Sequence, residues 1–135
     1  MIALLDTTAL SAAMRRDEGI ASFLQGLRPG DVATAPPAVA EIEYGVRRLV
    51  PGSRRRELLE AERLRVLSAI AVLDWTPDVS GRFGEIKAHL EESGTPIDDF
   101  DVAIAAVALS HDAEVITANL VHFARVPNLR ARHWA

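Results

Sequence analysis

The chain opens with an unbroken apolar run, Ile2–Leu5, that stops abruptly at Asp6. An apolar run without alternation fits a strand covered on both faces. Ala9–Met14 and Ile20–Leu27 then carry apolar residues at helical spacing, and Pro29-Gly30 marks a turn. Asp31–Ala35 is predicted as a second strand, and Pro36-Pro37 opens a helix on which Val39, Ile42, Val46 and Leu49 recur. Pro51-Gly52 breaks that helix, and Ser53 is placed to cap the next, which is expected to run to about Ile70. Ala71–Trp75 reads as a strand, and Thr76-Pro77-Asp78 starts a helix ending near Gly94. Asp98 or Asp99 caps a strongly apolar helix through Leu109. Glu114–Thr117 and Leu129–Trp134 are the last expected strands.

Helices thus alternate with short strands that lack polar alternation. That order predicts an α/β three-layer sandwich with a mainly parallel central sheet. The length, 135 residues, suits one domain spanning 1–135.

Composition narrows the function. Hydrophobic residues make up 49%, enough for a core, and cysteine is absent, which excludes disulfides and thiolate metal sites. The lack of cysteine fits a reducing cytoplasm. The apolar start has no basic leader, and the longest apolar run, Val102–Leu109, falls far short of the roughly 20 residues of a spanning helix. No membrane role is expected. Net charge is −4, but from Arg47 to Arg65 seven arginines face three glutamates. Such asymmetry fits a basic face beside an acidic site, and equally a solvated helix laced with ion pairs such as Glu62–Arg65.

Open α/β sheets place their sites beyond the carboxyl ends of the strands. Asp6 ends the first strand, Glu41 lies early in the helix after the second, Asp101 lies in the first turn of the most apolar helix, and Asn119 follows the strand ending at Thr117. Each acid has a structural reading too: Asp6 as a helix cap, Asp101 as an acid favoured by the helix dipole. Clustered together, they would repel one another, and a hard divalent cation such as magnesium or manganese relieves that repulsion. The histidines are scattered without metal-ligand spacing, no serine sits in a GxSxG setting, and no glycine-rich phosphate loop occurs. An aspartyl-phosphate mechanism would need a second acid where Thr8 stands.

Four blocks carry a family resemblance. LLDTTALS, AVAEIEYGV, GTPIDDFDVAIAAVAL and EVITANLVHFARVPNL lie in order and resemble the four blocks of PIN domains. The compact length is similar to the VapC-type toxins of bacterial toxin–antitoxin pairs. The resemblance implies a magnesium-dependent endoribonuclease, with Mn2+ as a substitute, inhibited by a small cognate antitoxin and forming homodimers. Carried over, the catalytic acids are Asp6, Glu41 and Asp101, with Asp6 and Asp101 on the metal. Thr8, Thr117 and Asn119 are supporting polar groups, and Asn119 stands where many members have a fourth aspartate. Arg47, Arg48, Arg54, Arg55 and Arg56 are expected to meet RNA phosphates. The alternative is a catalytically weak PIN-fold module that binds RNA or a partner.

Two glutamates compete for the second acid. Glu41 and Glu43 point about 200° apart on a helix, so only one faces the metal. Glu43 has Arg47 as an i,i+4 partner, whereas Glu41 has Gly45 at that offset. Glu41 is therefore expected to be the site acid, and Gly45 to leave room for an approaching antitoxin segment.

Overall fold

The computed structural model describes all of residues 1–135. Five strands alternate with seven helices: β1 (Ala3–Leu5), α1 (Thr7–Met14), α2 (Glu18–Gln25), β2 (Val32–Thr34), α3 (Pro36–Arg47), α4 (Arg54–Leu67), β3 (Ala71–Val72), α5 (Pro77–Glu92), α6 (Asp99–Ser110), β4 (Glu114–Ile116), α7 (Leu120–Phe123) and β5 (Ala131–Arg132). The sheet order is β3-β2-β1-β4-β5, and every pairing is parallel. Leu5 stands opposite Thr34 on one side and Ile116 on the other. Helix α1 packs against α2, α3 and α4, and α5 packs against α6. The three central strands are almost entirely buried, as a sheet covered on both faces requires.

The expected caps form. Ser53 Oγ accepts from the Arg56 amide, and the Thr76 and Asp98 side chains cap α5 and α6. Helix α6 is buried over its whole middle, Val102 to Ala108. Its alanines 103, 105, 106 and 108 let it press closely against its neighbours.

Several boundaries differ from the sequence expectation. The third and fifth strands shrink to two residues each, because each is an edge strand with one partner. The short helix α7 was not expected: four residues carry too little periodicity to reveal themselves. No helix is long and apolar enough to cross a membrane.

Candidate active site

Strand order reverses between β1 and β4, and this switch point is where Asp6 and Thr117 emerge side by side. The backbone around Asp6 is held from both sides. The Asp6 amide donates to the Ile116 carbonyl at 3.1 Å, and Thr34 Oγ1 donates to the Leu5 carbonyl at 2.7 Å. Asp6 is only 1% exposed.

Its carboxylate sits in a cage of neutral donors. Oδ1 accepts from Thr8 Oγ1 at 2.6 Å and from the Ala9 amide at 2.9 Å, which caps α1. Oδ2 accepts from Thr117 Oγ1 at 2.6 Å. Each hydroxyl in turn accepts a backbone amide: Ala118 N–H on Thr8 at 2.9 Å, Asn119 N–H on Thr117 at 2.8 Å. Asp6 therefore caps α1, and the same carboxylate is the hub of a hydrogen-bond network with Thr8 and Thr117. Burial pushes its carboxyl above the ordinary range, against the lowering effect of the Thr117, Thr8 and backbone hydrogen bonds.

Asp101 lies within electrostatic reach. Burial raises its carboxyl, the hydrogen bond from His122 lowers it, and the charges of Asp6 and then Asp98 raise it further. His122 Nδ1 is 3.3 Å from Asp101 Oδ2. Sequence reasoning set the histidines aside for want of ligand spacing. This pairing, 21 residues apart in the chain, is made by the fold.

Glu41 reaches the site through Thr7, whose hydroxyl donates to Oε1 at 2.6 Å. Thr7 immediately follows Asp6 and was also not singled out from sequence. The three acids are not gathered into a ready-made chelate: no group of three or more His, Asp or Glu side chains lies in metal-binding range. Asn119 contributes its backbone amide, while its side chain makes no capping hydrogen bond. Glu43 is turned to α4, accepting from Arg63 at 2.9 Å, with Arg47 farther off at 3.9 Å. The i,i+4 partner inferred from spacing is thus the weaker of two.

The basic segment is divided. Arg56 is occupied, donating to Glu60 at 2.9 Å and to the Leu49 carbonyl at 3.3 Å. Its Nε and Nη1 are engaged within the chain, and the residue is only partly exposed. Arg47, Arg48, Arg54 and Arg55 are exposed. Arg48 and Arg55, with Arg15, rim a groove that Glu41, Ile42 and Val46 also line. Nothing lies within 4 Å of where a Gly45 side chain would begin, so the groove is open there.

A parallel sheet with carboxylates at its switch point, flanked by hydroxyl donors, places the chain in a defined class. The PIN domain model matches residues 3–129, and the chain belongs to the PIN domain family. It is 28% identical to ribonuclease VapC2 of Rickettsia felis, over 99% of this chain and 98% of that protein. It is 32% identical to ribonuclease VapC2 of Haemophilus influenzae, over 97% and 96%. The structure of VapBC2 from Rickettsia felis, bound to a DNA fragment from its promoter, superposes with a TM-score of 0.90 at 27% identity, covering 100% of both chains.

Proposed function

We propose that this chain is a metal-dependent endoribonuclease toxin that hydrolyses RNA phosphodiester bonds and is silenced by a cognate antitoxin. One observation carries the reading. Burial raises the carboxyls of both Asp6 and Asp101 at the mouth of the sheet, the charge of Asp6 raises Asp101 further, and the groups acting on the two are hydroxyls, amides, an imidazole and other acids, with no lysine or arginine. Such a donor set of hard oxygens fits Mg2+ or Mn2+. Asp6 and Asp101 would hold the ion and Glu41 would support it. When bound, the ion supplies Lewis-acid chemistry, acidifying a water and offsetting phosphate charge. The chain's own part is positional. The Thr8 and Thr117 hydroxyls hold both Asp6 oxygens in place, and the exposed arginines of α3 and α4 draw the RNA backbone toward the acids.

The named relatives support this reading, since they are ribonucleases and their solved complexes are toxin–antitoxin pairs. The groove beside Gly45 is suited to an antitoxin segment. A second, apolar groove lined by Pro36, Pro37, Ala40, Trp75, Phe100 and Ala103 supports a homodimer, because Trp75 and Phe100 stand there 42% and 43% exposed.

The test is cleavage of total RNA with end mapping. Cleavage in magnesium that stops with chelator, and is lost in Asp6→Asn and Asp101→Asn, is the expected result. Full activity of either variant overturns the assignment. The rival reading, a PIN-fold binding module, draws on the uninvolved Asn119 side chain. It wins if wild type binds RNA equally with and without chelator and cuts none.

A further inference from the structure

The two partly exposed acids share a pattern that the buried one lacks. Hydrogen bonds engage Oε1 of Glu41 and Oδ2 of Asp101, each from a single partner, Thr7 Oγ1 and His122 Nδ1. The other oxygen of each carboxylate has no partner in the chain. No buried side-chain oxygen is left unpartnered, and neither acid is an exposed residue, so Oε2 of Glu41 and Oδ1 of Asp101 must open to accessible space. On Asp6, by contrast, both oxygens have partners, two on Oδ1 and one on Oδ2, which leaves Oδ2 a lone pair for the ion.

We infer that Thr7 and His122 are positioning residues: each pins one oxygen of its acid so that the other, Glu41 Oε2 or Asp101 Oδ1, is presented to the divalent cation. This rests on the nuclease reading above. A free carboxylate rotates about its terminal bond with little preference, and immobilising it on binding costs entropy. A hydrogen bond to one oxygen removes that freedom in advance. A hydroxyl does this without cancelling the charge that attracts the cation, which an arginine partner would do. An imidazole in its Nδ1–H tautomer does the same. Outer partners of ligating carboxylates commonly change metal affinity by roughly 10- to 100-fold when removed. Neither residue was visible from sequence, because Thr7 and Glu41 are 34 residues apart and His122 and Asp101 are 21.

The probe is Mn2+ alone, its free fraction read by electron paramagnetic resonance on the purified full chain. Thr7→Val keeps the shape and loses the hydroxyl; Thr7→Ser keeps the hydroxyl. His122→Ala loses the donor; His122→Asn keeps an N–H near the Nδ1 position. Thr7→Val and His122→Ala are expected to weaken Mn2+ binding roughly 10-fold, with Thr7→Ser and His122→Asn restoring most of it. Metal-free melting temperatures should stay close to wild type in all four, which a merely structural role would not give. In the metal-free chain, the ring 15N signals of His122 should shift in Asp101→Asn. Unchanged or tighter Mn2+ binding in the Val and Ala variants overturns the inference, as does equal loss in the Ser and Asn variants. Asp6→Asn separates the two levels. If wild type binds Mn2+ no better than Asp6→Asn, the nuclease reading itself falls. If wild type binds and Asp6→Asn does not, only the role of Thr7 and His122 is being judged.

Discussion

Asp6 is a carboxylate buried among neutral donors, and that choice has a thermodynamic signature. Its carboxyl and that of Asp101 are both raised, so each holds its proton more tightly in the folded chain than in the unfolded one. The stability from that proton is fully present below the ordinary carboxylate range of about 4 and is lost as pH rises through the raised values. Asp6→Asn removes this loss. In chelator it is expected to melt above wild type at neutral pH, with the gap closing as the pH falls; melts across pH check it. The two glutamates of α3 give a second contrast. Glu41→Gln should abolish RNA cleavage at saturating magnesium. Glu43→Gln should leave it intact and cost at most about 1 kcal/mol, because its pairs with Arg63 and Arg47 are partly exposed. Paired cleavage assays and denaturant titrations decide between them.

Among the elements, α6 does the most to position Asp101, because it carries that acid in the first turn of a helix whose middle, Val102 to Ala108, is buried. Its alanines 103, 105, 106 and 108 are buried. Ala106 is 0% exposed, and Ala106→Leu is expected to destabilise by about 1–3 kcal/mol through overpacking, measurable by urea denaturation. These elements were largely legible in the sequence, for a physical reason. Unalternating apolar runs such as Ile2–Leu5 and capped helices such as Asp98–Leu109 are local signals, and the acids sit at their ends. What stayed hidden was not local. The edge strands owe their two-residue length to having one neighbour, and α7 is shorter than one reliable period. The partners of Glu41, Asp101 and Glu43 come from other elements. Spacing suggested Arg47 for Glu43, while the fold supplies Arg63 at 2.9 Å.

For the whole molecule, the uneven charge becomes a distribution in space. Within the basic segment, Arg47, Arg48, Arg54 and Arg55 are exposed along the end of α3 and the start of α4, and Arg48 and Arg55 line the groove that holds Glu41. Each phosphate contact to single-stranded RNA adds about 0.7 to the salt slope of binding. Changing Arg54 and Arg55 to Gln should therefore lower that slope by about 1.4, measured with the inactive Asp6→Asn chain; Arg56→Gln should lower stability instead, since its contacts are internal. The apolar groove makes a separate demand. Phe100→Asp is expected to convert a dimer to a monomer in analytical ultracentrifugation with little change in melting, because Phe100 is 43% exposed. A monomeric wild type would dismiss that face as a self-association surface.

The threonine hydroxyls at Asp6 also have a direction. Each oxygen already receives a backbone N–H, so its single proton has only the carboxylate to go to. The hydroxyls are thus locked rotors, and charge on Asp6 is felt through them by two amides that do not touch it. The Ala118 and Asn119 amide resonances become remote gauges of the acid: both should shift when Asp6 is protonated or meets a cation, and Thr8→Val should silence the Ala118 response while leaving that of Asn119.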